Sequence, residues 1–478
     1  MRCLVAKGAS HPGFGRFARS VTAILLALGA FILLSDYLGR AAFPSDAKSD
    51  PFEGPRTAAP ATQALLSVER APASPQGESG SAVLADPRVA AVMNEITRGG
   101  LLRYERELSG EAPAVINGHL YTITTRESYS GEPISQATRY AYERFQDAGL
   151  DVAFQEYEAG QPAQRWRNVI AERRGLRRPD EIYMLTAHLD DYPPGPVAPG
   201  ADDNGSGSAT VLLVAEALSR LDLDCTVRFA LFTGEEQGLK GSAAYAGAAA
   251  LAGDGIRGVL NLDMIGYNSD SVPILDLHAR SSVTGSVRMA QTFSQVIAVY
   301  DLALVPELQI DHWLGNYSDN KSFWDEGYPA ILAIEDQDDF NPYYHTVDDN
   351  VAHLDPDYLE QAAQAAAGTF AHMGCLASTG RLTGTVTELE TGRPLSATIS
   401  AVARDRIYTT TTGAGGIFSL TLPVFSYTLQ ARAHRGSYSS PVVKGVRVLT
   451  DTVTVQNFML QRVPYRLFLP VLFQRQPN

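Results

Sequence analysis

With 478 residues, 45% of them hydrophobic and only 19% charged, the chain can bury a large core and is long enough for two or three domains. Its formal net charge is −14 and no basic stripe occurs outside the extreme N-terminus. That excludes a nucleic-acid binder, because phosphate contacts need clustered lysine and arginine, and leaves peptides or other small polar molecules as the better partners.

The chain opens with Arg2, Lys7, Arg16 and Arg19, followed by an apolar run over residues 21–34. A basic flank before about fourteen apolar residues, short of the ~20 that span a bilayer, is the pattern of an export signal. Residues 1–42 are expected to be an export signal, or an N-terminal anchor held by residues 21–38 if cleavage does not occur. The protein is then secreted or carried at the cell surface. Residues 43–85, rich in Ala, Pro, Ser and Gly and without a hydrophobic period, read as a disordered linker. Three cysteines are too few for a disulfide scaffold; Cys225 and Cys375 are the two that an oxidising compartment would allow to pair, at a separation the sequence does not fix.

Apolar spacing predicts helices over residues 89–108 and 134–148, the second ended by Gly149, then strands over 150–157 and 168–172. From there strand and helix alternate: strand 181–188, helix 206–221, strand 227–233, helix 240–251, strand 258–264. A helix near 286–300, a strand at 329–334 and a helix near 356–373 follow. This alternation predicts an α/β domain over residues 86–378, a mostly parallel sheet with helices on both faces. From Arg381 the runs become short and β-rich with turn residues between them, the spacing of a small antiparallel β-sandwich over 381–462. An apolar tail, residues 463–478, contains YRLFLPVLF and is too short to cross a membrane.

Five metal-capable side chains fall where such a sheet would bring them together: His188, Asp203, Glu236, Asp263 and His345. His188, Glu236, Asp263 and, a little further on, His345 follow apolar runs, and in an open α/β sheet ligands gather at the carboxyl ends of strands. Asp203 lies in Gly-Ala-Asp-Asp-Asn-Gly-Ser-Gly, where glycines let backbone and carboxylate approach one point, although acidic residues at an ordinary helix start would look alike. In His188-Leu-Asp190 the first and third side chains point the same way, so Asp190 can accept the second ring N–H of His188. Glu235 and Glu236 end a strand and point to opposite sides, so one can hold a metal while the other faces water. Two imidazoles with several carboxylates suit zinc.

Together, HLD, GADDNGSG, GEEQGLKGS, NLDMIGY and YYHTVDD, in this order, resemble the M28 family of zinc peptidases over roughly residues 90–375. The resemblance implies two zinc ions, with His188, Asp203 and Asp263 on one and Asp203, Glu236 and His345 on the other. It further implies an activated water as nucleophile, Glu235 as general base and Asp190 as partner of His188. Ser318-Asp319 is similar to the family's pocket element, which puts Asp319 behind the ligands. Tyr344 is a candidate hydrogen-bond donor to substrate, with Tyr343 or a packing role equally open. The expected activity is removal of N-terminal residues from peptides. A carboxypeptidase of the same family is the alternative, with Arg126 and Arg139 available for an α-carboxylate, and a non-catalytic surface-binding protein is a third. Residues 381–460 resemble carboxypeptidase-regulatory-like domains, so surface attachment through this sandwich or the N-terminal segment is expected.

Overall fold

The computed structural model describes residues 82–160, 163–373, 376–404 and 406–463. The expected signal or anchor, most of the linker, Cys375 and the tail from residue 464 lie outside the described residues. Among the described residues no helix is long and apolar enough to cross a membrane.

Helix α1 (Pro87–Glu95) starts on Asp86, whose carboxylate accepts the Arg88 amide, with proline at the first helical position. Helix α2 (Arg98–Leu108) starts on Thr97, whose hydroxyl accepts the Gly100 amide. The single helix expected over 89–108 is therefore two: Ile96 and Thr97 are extended, because the Thr97 hydroxyl gains more as a cap than in a helix interior. A small hairpin, β1 (Ala114–Ile116) and β2 (His119–Tyr121), turns through Asn117 and Gly118, both at positive φ. Helix α3 (Glu132–Asp147) ends before Gly149, which takes φ 80°.

Eight strands form one sheet: β3 (Asp151–Ala159), β4 (Gln164–Arg173), β5 (Arg178–His188), β6 (Cys225–Phe232), β7 (Ile256–Leu262), β8 (Ile274–Ala279), β9 (Val305–Ile310) and β10 (Ala330–Glu335). Their order is β3-β4-β6-β5-β7-β10-β8-β9. The central β6, β5, β7 and β10 are parallel, β3 and β4 run antiparallel on one flank, and β8 is antiparallel to β10. Alternate residues of β5 and β6 enter two separate cores. Leu185, Ala187, Phe229 and Leu231 face the layer built from α1, α2, α3, α4 (Gly207–Ser219), α6 (Ser286–Val299) and α8 (Pro356–Met373). Ile182, Met184, Ala230 and Phe232 face α5 (Lys240–Ala252) and α7 (Asn320–Asp325). Burial on both faces is why these strands read as unbroken apolar runs.

The C-terminal strands are β11 (Thr379–Glu388), β12 (Ala397–Ala403), β13 (Arg406–Thr411), β14 (Ile417–Pro423), β15 (Ser426–Ala433), β16 (Val442–Arg447), β17 (Val453–Val455) and β18 (Phe458–Leu460). They make two sheets around a core of their own that includes Leu382, Val386, Ile399, Phe418 and Leu429. The β13-β12-β15-β16 sheet is antiparallel throughout; in the other, β14 pairs antiparallel with β11 while β17 and β18 pair with it in parallel. This unit meets the first at the amino ends of β5 and β6. There the Arg404 guanidinium donates to the Leu176 carbonyl at 2.8 Å, and the Tyr408 hydroxyl to Asp222 at 2.8 Å. Cys225, at the start of β6, is disulfide-bonded.

Candidate metal centre

The parallel strands deliver the donors to one point. His188 is the last residue of β5, and Asp263 follows β7 directly. Glu235 and Glu236 lie in the turn after β6, Asp203 in the turn between β5 and α4, and His345 in the segment after β10. His188 Nε2 is 3.2 Å from both Asp203 Oδ1 and Asp263 Oδ1. His345 Nε2 is 3.3 Å from Asp203 Oδ2 and 3.0 Å from Glu236 Oε2. The structure thus forms one donor set from His188, Asp203 and Asp263 and another from Asp203, Glu236 and His345, with ligand atoms within 4.8 Å of one another in each. Asp203 contributes one oxygen to each side. Glu235 falls in a third group with His188 and Glu236.

A ring of hydrogen bonds holds these groups. Ser318 donates to Asp263 Oδ2 at 2.6 Å and accepts from Asn261 at 2.8 Å, and Asn261 in turn accepts from Thr186 at 2.8 Å. The Asp349 carboxylate accepts the amides of Asp202 and Asp203, at 3.1 and 3.0 Å, and so fixes the turn that carries Asp203. His188 Nδ1 differs from expectation: it is 3.0 Å from the Asp190 carbonyl and 3.8 Å from its carboxylate. The Asp190 carboxylate is occupied instead by the Ser128 hydroxyl at 3.0 Å and the Glu235 amide at 3.2 Å. A main-chain acceptor fixes the imidazole tautomer as a carboxylate would.

Asp319 is fully buried, and burial pushes its carboxyl up to about 7, with Asp190 and Asp263 adding to the rise and His188 opposing it. The Tyr344 ring stacks on His345 at 3.6 Å, and Tyr192 leans on the same imidazole at 4.6 Å. Tyr343 stacks on His353 at 3.6 Å. Sequence reasoning missed Ser128, which stands in no motif, and gave no role to Asp349, although it lies in the quoted YYHTVDD run.

The charge balance decides what the site can hold. No lysine or arginine among the described residues pairs with Asp203, Glu235, Glu236 or Asp263; the two imidazoles pair with Asp203, Glu236 and Asp263. Burial would lower the His345 pKa, but Asp203 and Glu236 outweigh it and push it up to about 11. Burial also lowers His188, and Asp263 and Asp203 reverse that to well above its ordinary value. Burial raises Glu236 to about 8, with Asp203 adding to the rise, and raises Glu235 well above the usual carboxylate range. Glu236 Oε1 is buried without a hydrogen-bond partner. Carboxylates that must be buried together without a guanidinium or ammonium are stabilised by a cation, and imidazole with carboxylate oxygen is a zinc donor set. The residues present fit that ion.

Arg126 and Arg139 are not at this point. Arg126 is 0% exposed and donates to the carbonyls of Leu108, Leu189, Pro199 and Gly200, each at 2.7 to 2.8 Å. Arg139 pairs with Glu143 along α3 at 2.8 Å.

Fold and donor cluster together define an open-sheet α/β protein with an imidazole–carboxylate centre at its strand ends. Residues 168–370 match Peptidase family M28, and this part of the chain is similar to members of that family. It is similar to aminopeptidase YwaD of Bacillus subtilis (strain 168), with 29% identity over 200 residues, 40% of this chain and 41% of that protein. It is also similar to leucine aminopeptidase 1 of Trichophyton rubrum, with 34% identity over 214 residues, 40% of this chain and 54% of that protein. The chain spans about half the length of these curated relatives. The crystal structure of Legionella pneumophila LapA aminopeptidase shares the fold with a TM-score of 0.51 at 17% identity, over 63% of this chain and 78% of that one.

Proposed function

We propose that the chain is an exported di-zinc aminopeptidase that removes N-terminal residues from peptides. The observation that carries this reading is the pair of donor sets sharing Asp203, with Glu235 beside them. His188, Asp203 and Asp263 would hold one ion, and Asp203, Glu236 and His345 the other. Zinc bound there supplies Lewis acidity, which lowers the pKa of a water toward neutrality and polarises the scissile carbonyl.

The chain's own residues do the rest. A carboxylate oxygen of Glu235 takes a proton from the attacking water and returns it to the leaving amine. Asp263 and His188 are oriented by Ser318 and the Asp190 carbonyl, so their lone pairs need no reorganisation. Tyr344 is engaged in stacking on His345, which favours an orienting role for its ring. Glu235, which holds neither ion in this reading, leaves a carboxylate beside the centre that favours a substrate's α-ammonium. The carboxypeptidase alternative needs a free cation for an α-carboxylate, and the two arginines considered for it are committed elsewhere. Export is supported by the N-terminal sequence and by the disulfide at Cys225. Attachment to a surface would fall to the N-terminal segment or the C-terminal sandwich.

The test is a panel of one peptide with free or acetylated N-terminus and free or amidated C-terminus. Cleavage lost on N-acetylation and kept on C-amidation is the expected result. Cleavage that requires the free carboxylate would replace this reading with the carboxypeptidase.

A further inference from the structure

We propose that Ser128 is a positioning residue for Glu235, acting through the Gly234 amide and the Asp190 carboxylate. The inference rests on the reading of Glu235 as the base. Glu235 sits in a turn after β6 in which Gly234 takes φ 71°, a conformation that leaves the following side chain's direction to whatever holds the two amides. A side chain at Gly234 would meet the Trp166 ring at 2.8 Å, so the turn is also closely packed.

Thr233, the first residue of the turn, is pinned by Asn168, which accepts its amide at 3.0 Å, and by the Tyr157 hydroxyl, 2.8 Å from its own. Neither contact reaches the base. The Gly234 amide donates to Ser128 Oγ at 3.0 Å, and the Ser128 hydroxyl donates to Asp190 Oδ2 at 3.0 Å. The other oxygen of Asp190 accepts the Glu235 amide at 3.2 Å. The two amides that set the direction of Glu235 therefore converge on one hydroxyl and one carboxylate, and the hydroxyl also holds the carboxylate. The Asp190 carbonyl faces the His188 ring at 3.0 Å, so the same residue links the base to a metal ligand. Ser128 is 2% exposed, so water does not replace these bonds when the hydroxyl is removed.

Ser128 belongs to a segment with one task. Two residues earlier, the Arg126 amide donates to both oxygens of Asp191, at 2.9 and 2.8 Å, and the Arg126 side chain gathers the carbonyls of the loop that leads to Asp203. Residues 125–128 thus brace both the base turn and the loop before the shared carboxylate. They lie before residues 168–370, the part that matches the family, so the N-terminal elements are part of the working site rather than an addition to it.

The experiment compares Ser128→Ala, Ser128→Thr and Glu235→Gln in the full chain, with kcat, KM, zinc content and thermal midpoint measured for each. Ser128→Ala is expected to keep its zinc and a KM within about threefold while kcat falls about 10- to 100-fold, the range for supporting hydrogen bonds and small misplacements of a reacting group. Ser128→Thr keeps donor and acceptor and should recover most of that loss. A purely structural serine would lower the thermal midpoint and leave kcat per folded, zinc-loaded chain within twofold; that result, an equal loss in both Ser128 variants, or loss of zinc from Ser128→Ala would overturn the inference. Glu235→Gln separates the two claims. If it turns over at the parental rate, the base reading fails and the inference with it; if it is inactive while Ser128→Ala is normal, the inference alone fails.

Discussion

The two ends of the central sheet solve the burial of charge in opposite ways. Towards the amino ends, Arg228 on β6 lies between Glu172, at 2.7 Å, and Asp254, with the Tyr245 hydroxyl at 3.0 Å; each carboxylate has a guanidinium. At the carboxyl ends, Asp203, Glu235, Glu236, Asp263 and Asp319 crowd around two imidazoles, and none of them pairs with a lysine or arginine among the described residues. The first arrangement is complete without a ligand. The second costs free energy until a cation binds, and that excess of uncompensated carboxylate separates a site from a structural ion cluster.

Removing the shared carboxylate breaks the comparison most severely. Asp203→Ala should take zinc from two per chain to less than one, and turnover down by about a thousandfold or more, since several kcal/mol of charge stabilisation are lost at once. Elemental analysis alongside kcat checks both.

The pH dependence sharpens it. In the metal-free protein His345 is raised to about 11 and His188 is raised as well, so both carry protons at neutral pH that zinc must displace. Zinc affinity should therefore rise by at least about tenfold per pH unit between pH 6 and 8, seen by competition with a chelator. Because the folded pKa of His345 exceeds its unfolded value near 6.5, its contribution to metal-free stability is complete below about 6.5 and is lost as pH rises through about 11. The gap in thermal midpoint between zinc-loaded and metal-free protein should widen accordingly with pH.

The smallest effect belongs to the other end. Arg228→Met leaves Glu172 and Asp254 without their partner, but both are partly exposed, so a loss of about 1–3 kcal/mol is expected in chemical denaturation, with kcat unchanged.

His188, Glu236 and Asp263 were legible in the sequence because each stands at or just after the end of an apolar strand run, with His345 a little further on, and glycines flank Asp203 and the Glu235–Glu236 pair. The helix over Pro356–Met373 and the stop at Gly149 were legible from composition and capping. Strands β8 and β9 were not: β9 lies at the sheet edge with Val305, Leu308 and Ile310 exposed, so its pattern carries no burial signal. Ser128 was not either, because its partners lie 62 and 106 residues away and meet it only once the chain has folded. The break at Ile96 and Thr97 was hidden for a local reason. Apolar spacing continues across it, and only the cap geometry marks the new start.

The measurement that tests the central claim most directly is a titration of metal-free protein with zinc, following hydrolysis of a peptide with a free N-terminus against zinc added per chain. Turnover that rises until two ions per chain are bound, and then levels, is the predicted result. Turnover complete at one ion, or present without zinc, would contradict a centre built on two donor sets sharing Asp203.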